Sequence, residues 1–143
     1  ARQRALRAVD VIQVQTCWQV GHHIFEFEQG GAARAAYGKR LLPLLAERLT
    51  QEFGKGFDER NLRHMRAFFQ VFPNWDAVRS ELSWTHYRLL TRVDKAEARQ
   101  WYMHEAAEQN WSSRALAWQP VIRHEPRGEL ADPSGFASMN GGI

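Results

Sequence analysis

Six residues suited to holding a phosphate or a base edge crowd into one stretch: Lys55, Arg60, Asn61, Arg63, His64 and Arg66. They lie within Phe53-Gly54-Lys55-Gly56-Phe57-Asp58-Glu59-Arg60-Asn61-Leu62-Arg63-His64-Met65-Arg66. A guanidinium group offers a planar fork of donors that fits phosphates and base edges, and amide and imidazole groups add donors and acceptors. The elements that must position these groups are legible around them. An amphipathic helix with Leu41, Leu45, Leu49 and Phe53 at four-residue spacing runs into the stretch. Two glycines then flank Lys55 in a tight turn, Asp58 offers an N-cap, and a second helix follows with Leu62, Met65, Phe69 and Phe72 as its buried stripe. That order reads as a helix-turn-helix, most often a device for holding nucleic acid. Its second helix is expected to carry Arg60, Arg63, His64, Ala67 and Gln70 on its outer face. Arg60, Asn61, Arg63 and His64 fall in the first two turns, which reach base edges in such units, while Lys55 and Arg66 suit phosphates. A helical hairpin with a solvated basic face is the alternative that the pattern leaves open.

A second helix, turn, helix unit is read over Asp94 to Gln119. Arg114 follows a Ser112 or Ser113 helix start and is a candidate phosphate contact there, with simple capping as the plainer reading.

Other chemistry finds no support in the residue pattern. His22 and Glu26 share a helix face, but two ligands do not make a metal site, so no metal and no cofactor are expected. Cys17 lies in an apolar-periodic run and reads as a buried, inert thiol, with His22 off its face. Gly54-Lys55-Gly56 is too short for a phosphate-cradling loop and lacks the Lys-Ser/Thr ending. Metal-dependent nuclease cores commonly place an acidic residue two before a lysine. Here Tyr37, Phe53 and Val93 hold those positions before Lys39, Lys55 and Lys95, so the chain is not expected to be an enzyme.

Composition sets the frame. The chain has 143 residues, 44% of them hydrophobic, which suits one domain with a real core. Nineteen basic side chains against 16 acidic ones give a net charge of +3, and sixteen of the nineteen are Arg, which permits an anionic partner. One cysteine excludes an internal disulfide. With no apolar run of membrane-spanning length and no signal peptide, a cytoplasmic setting without a membrane partner is expected. The chain opens inside a helix and so reads as part of a longer protein.

Helices are expected over 5–28, from just after Gly38 to Phe53, from Asp58 to Pro73, Trp84 to Val93 after a Ser83 cap, and Lys95 to Gln109 after an Asp94 cap. A short helix follows Ser112 or Ser113 and ends near Pro120. Asn74 to Glu81 is a connector packed through Trp75. Trp18, Phe53, Phe57, Leu62, Met65, Trp84, Tyr87, Trp101 and Trp111 are expected to hold the core, with Ala98, Trp101, Tyr102 and Ala106 on one side of their helix. The fold class is therefore all-α: about six or seven helices containing one or two helix-turn-helix units, over residues 1–122. Residues 123–143 form an irregular tail or linker.

Several spaced motifs, in order, resemble the N-terminal domain of the YhcG family of bacterial proteins. They are Cys17-Trp18-Gln19-Val20-Gly21-His22-His23-Ile24 with Glu28-Gln29-Gly30; Tyr37-Gly38 with the Phe53 to Arg66 stretch; Leu82-Ser83-Trp84-Thr85-His86-Tyr87 with Leu89-Leu90; and Arg99-Gln100-Trp101-Tyr102 with Trp111-Ser112-Ser113-Arg114-Ala115-Leu116. The resemblance implies a helical domain that binds DNA and precedes a nuclease domain of the PD-(D/E)xK class. The chain departs from the family at Cys17, where Tyr is usual, at Trp118-Gln119-Pro120, which interrupts a longer helix, and after Pro126. More briefly, Ser83, His86, Leu89, Leu90, Asp94 and Ser113-Arg114 resemble the helical DNA-binding region of ParB-type partition proteins. The expected function is a non-catalytic DNA-binding domain that targets a nuclease, with DNA as partner and no small-molecule substrate. The alternative is a protein-interaction module that makes a homo-oligomer or meets another protein through Val11, Val14, Trp18 and Phe25.

Overall fold

The computed structural model describes residues 2–30 and 32–124, with side chains described over 8–30 and 40–123. Among the described residues there are seven α-helices and no strand. They are α1 (Arg2–Glu28), α2 (Ala32–Phe53), α3 (Glu59–Val71), α4 (Trp84–Leu90), α5 (Ala96–Glu108), α6 (Ser113–Ala117) and α7 (Pro120–His124), with a 3₁₀ turn at Trp75–Ala77. None of these helices is long and apolar enough to cross a membrane.

The centre of the fold is the crossing of α1 and α3. Its cause is Gly21. A Cβ at this position would lie 2.0 Å from the Met65 carbonyl oxygen, so the two backbones touch where a side chain would otherwise separate them. Val14, Cys17 and Ile24 of α1 flank this contact and share one core cluster with Leu62, Met65 and Phe68 of α3. Trp18 closes the far end. Its indole Nε1–H donates to the Phe72 carbonyl oxygen at 2.7 Å, satisfying an acceptor at the end of α3, and its ring meets Phe69 edge-on. α2 packs on both α1 and α3.

The second half is keyed to this core by α4. Phe68 of α3 and Phe72, its C-cap, pack against Tyr87, and Phe68 against Trp84. Ser83 caps α4 by accepting from the His86 N–H, while His86 Nδ1 accepts from the Ser83 N–H at 3.1 Å. The other ring nitrogen, Nε2, donates to the Trp111 carbonyl at 2.8 Å and so ties α4 to the turn before α6. Burial lowers the His86 pKa, with the Trp111 hydrogen bond and then Asp10 opposing. The buried ring is thus neutral and carries its proton on Nε2. Tyr87 donates its hydroxyl to the Arg79 carbonyl and accepts from the Arg79 N–H, which pins the connector. α6 packs on α4, and Ser112 caps it by accepting from the Ala115 N–H.

Several sequence expectations are corrected. α2 begins at Ala32, so Gly38 and Pro43 lie in its interior. The alanines before Gly38 are strong helix formers, and Pro43, which removes one N–H, is exposed. Lys95, not Asp94, is the N-cap of α5, and Asp58 holds the N-cap position of α3 without making a side-chain cap bond. Phe53 and Trp101 are 66% and 53% exposed. Phe53 ends α2 and meets Phe57, whereas Trp101 points away because α5 buries Tyr102, Met103, Ala106 and Ala107, one residue round from the expected stripe. Phe68 joins the buried stripe of α3. Pro120 opens α7 in place of ending the helical region, the position where a missing N–H is harmless. Arg123 and His124 of the expected tail belong to this helix, and residues 125–143 lie outside the described residues.

Candidate nucleic-acid interface

The turn between α2 and α3 takes its shape from glycine. Gly54 and Gly56 have φ of +88° and +104°, in the left-handed region that favours glycine, and no atom lies within 4 Å of where their side chains would start. The turn therefore projects into open space and presents Lys55 to solvent. Asn61 holds it in place: its Nδ2 donates to the Gly56 carbonyl at 2.6 Å, while its Oδ1 accepts from Trp84 Nε1 at 3.3 Å. One amide thus links the turn, α3 and α4.

The arginines of α3 divide by direction. Arg60 is exposed and forms no ion pair among the described residues. Arg63 is exposed and pairs with Glu59 at 2.5 Å, one helical turn before it. Arg66 points the other way. It pairs with Glu28 of α1 at 2.5 Å, with the two side chains 28% and 21% exposed. Arg66, expected to meet phosphate, is therefore a tie between α3 and α1, and Asn61, expected at a base edge, is a tie between the turn and α4. Arg114 is exposed on α6, a five-residue helix too short to build an N-terminal anion site.

His64 also departs from the outward placement expected for it. It turns toward α4 and lines a cleft of about 290 Å³ with Gly56, Asp58, Arg60, Asn61 and Arg88. Its Nε2 and the Nε of Arg88 are buried without a hydrogen-bond partner. Burial lowers the His64 pKa most, and the positive charges of Arg88, Arg60 and Arg92 lower it further, with Asp58 alone opposing. Three cations thus act on one half-buried ring. Sequence reasoning missed Arg88 and Arg92. Their i,i+4 spacing from Trp84 onward was the available signal, since Trp84, Arg88 and Arg92 recur at one helical turn.

Among the described residues, no group of three His, Cys, Asp or Glu is placed to hold a metal. His22 and Glu26 approach to 3.8 Å without a third ligand. Burial pushes the Cys17 thiol up to about 12, against a smaller opposing effect of Arg88, so the nucleophilic thiolate is suppressed.

Comparison with known proteins places the chain in a family. It belongs to the DUF1016 N-terminal domain family, whose signature matches residues 1–122. It is also 32% identical to a protein of Escherichia coli (strain K12) described as "Putative nuclease YhcG", over an alignment of 152 positions covering 83% of this chain and 40% of the relative. The chain thus spans about two-fifths of that relative's length. No solved structure matches it. The family resemblance carried by the sequence motifs is shown by these matches.

Proposed function

We propose that this DUF1016 N-terminal domain is a non-catalytic DNA-binding module that positions a nuclease on its target. α2, the glycine turn and α3 act as the helix-turn-helix, and Lys55, Arg60 and Arg63 make its phosphate and base-edge contacts. The observation that carries this reading is the cationic rim itself. Lys55 and Arg60 project without an acidic partner among the described residues, Arg63 is held by a single exposed i,i+4 pair, and Arg88 and Arg92 raise the positive potential behind them. An exposed pair of that kind is worth about 0.3–0.5 kcal/mol, so a phosphate displaces Glu59 from Arg63 readily. The relative described as a nuclease supplies the context. Arg114 adds a phosphate contact from the second unit, and Asn61 and Arg66 serve by fixing the turn and α3.

The test is fluorescence anisotropy with a short duplex over a salt series. The wild-type chain binds at low salt, and log affinity falls linearly with log salt. A Lys55→Gln/Arg60→Gln/Arg63→Gln variant binds more weakly, and its slope flattens by roughly one for each phosphate that these side chains neutralise in the wild type. No binding at low salt, or an unchanged slope in the triple variant, would overturn the proposal.

A second reading, self-association or contact with another protein, is favoured by Val9 and Ile12. Both are 65% exposed on α1, whereas Val14 is buried and Val11, Trp18 and Phe25, expected on that surface, are half-buried. Sedimentation of wild type against Val9→Ser/Ile12→Ser decides it. A monomer at high concentration that captures no partner rules it out.

A further inference from the structure

We propose that the cleft between α3 and α4 is a phosphate site. It takes the terminal phosphate monoester of a nucleic-acid strand, held by the guanidinium groups of Arg60 and Arg88 beside the His64 ring. The proposal rests on the DNA-binding reading and adds to it a distinct subsite and a preference for strand ends.

Three features of the cleft point to a phosphate. The first is charge. Arg60 and Arg88 line it, neither forms an ion pair among the described residues, and Arg92 lies close enough to act on His64. Asp58, at the mouth of α3, is the acidic side chain in the lining. The second is hydrogen bonding. The Nε of Arg88 and the Nε2 of His64 are buried without partners, a state shared among the described residues with the Nε of Arg99. A phosphate presents several strong acceptors and satisfies such nitrogens once the two side chains turn into the cleft, with the His64 proton on Nε2. The third is shape. A cleft of about 290 Å³ has room for a phosphate attached through one ester bond. A phosphate inside a strand is tethered on both sides and is less free to enter. A monoester also carries nearly two negative charges at neutral pH, matching two guanidinium groups better than a diester does.

The elements around the cleft suit this use. The Asn61 amide holds Gly56 and Trp84 in fixed relation, so the cleft is formed before any ligand arrives. The groups facing His64 are Arg60 from α3, Asp58 from the turn, Arg88 from α4 and Arg92 just beyond it. A bound dianion reverses the balance among them and draws the ring toward its protonated, doubly donating form.

Two arms test the proposal on the whole chain. In the first, His64 ring signals are followed by NMR while inorganic phosphate is added. The signals shift and the titration midpoint of His64 moves upward. In the second, duplexes of one sequence carry phosphate or hydroxyl at their 5′ ends, and separately at their 3′ ends. At least one terminal phosphate strengthens binding about tenfold, as expected for two charge-assisted contacts. Arg88→Gln removes both effects. Because Arg88 is half-buried, exposed Arg60→Gln is measured alongside it, with thermal melting to show that each variant folds. An unmoved His64 and equal affinity for all duplex ends would overturn the phosphate site, and continued salt-dependent binding would leave the DNA reading standing. A His64 response to phosphate with no affinity for any duplex would keep the site as one for free phosphate and overturn the strand-end assignment with the DNA reading.

Discussion

Replacing Gly21 by alanine tests the packing on which the whole cationic face depends. The new Cβ would lie 2.0 Å from the Met65 carbonyl oxygen, 2.6 Å from its carbonyl carbon and 3.1 Å from the Arg66 nitrogen. All three are backbone atoms of a helix, so no side chain can swing aside. To bring the closest contact out to even 3.0 Å, α1 and α3 must part by about 1 Å, from 2.0 Å. Val14, Cys17 and Ile24 then separate from Leu62, Met65 and Phe68, and the Trp18 bond to the Phe72 carbonyl stretches from its 2.7 Å. Overpacking of this kind costs about 1–3 kcal/mol, and a backbone clash belongs at the upper end. The change from glycine to alanine inside a helix returns about 1 kcal/mol. The net expectation is a loss of roughly 2 kcal/mol, or about 8 °C in Tm for a domain of this size. Urea titration followed by far-UV circular dichroism measures it. A Gly21→Ala protein as stable as wild type would refute the argument that backbone contact sets the α1–α3 crossing, because helix propensity would then be the larger effect.

Three further outcomes are expected. Arg66→Ala destabilises the fold by about 1–2 kcal/mol, because it leaves Glu28 unpaired in a site only 21% exposed, while Arg63→Ala stays within about 0.5 kcal/mol. Chemical denaturation ranks the two, and the reverse order would contradict the assignment of Arg66 to α1. His86 has its folded pKa lowered below the ordinary 6.5, so the unfolded chain binds the proton more readily. Its contribution to stability is complete above about pH 6.5 and is lost as pH falls from there toward the folded pKa, and His64 acts in the same sense. Melting curves between pH 7 and 5, with NMR detection of the Nε2–H tautomer, check this; a protein more stable at pH 5 would exclude it. Cys17, buried and with its pKa raised, stays unlabelled by a thiol reagent in the native protein at pH 8 and reacts after denaturation. Rapid native labelling would show that the α1–α3 interface opens.

The sequence carries the elements more faithfully than the directions of their side chains. Apolar periodicity locates most of the helices, and Ser83 and Ser112 are readable as caps because a hydroxyl before an apolar run has few other local uses. Gly54 and Gly56 are legible as a turn for a similar reason. Gly21 is legible only as a member of the apolar face it shares with Val14, Trp18 and Phe25, since its need for a missing side chain arises from Met65, 44 residues away in the chain. Trp101 misleads. Its spacing from Ala98 and Tyr102 fits one stripe, and only the packing of α5 selects the stripe through Met103 and Ala107. The start of α2 and the existence of α7 are hidden because Gly38, Pro43 and Pro120 resemble boundaries. In the fold, Gly38 and Pro43 lie inside a continuous helix and Pro120 starts a new one.

The arginines of α3 show why the candidate site in particular needs the structure. A step of three residues turns the side chain about 60° backward around an α-helix, so Arg60, Arg63 and Arg66 fan over about 120°. They cannot all meet one ligand. With Met65 fixed against Gly21, the phase of the helix is set: Arg66 falls beside Glu28, Arg63 faces solvent and Arg60 borders the cleft. His64, four residues after Arg60, follows it toward α4 and meets Arg88 there. The cleft beside Arg60 and His64 is thus completed by Arg88, from a different helix, and Arg66 lies outside it. The cationic face is not a property of α3 alone. It forms where α3 and α4 converge, and it depends on the same buried contacts, Asn61 to Trp84 and Phe68 to Tyr87, that join the two halves of the fold.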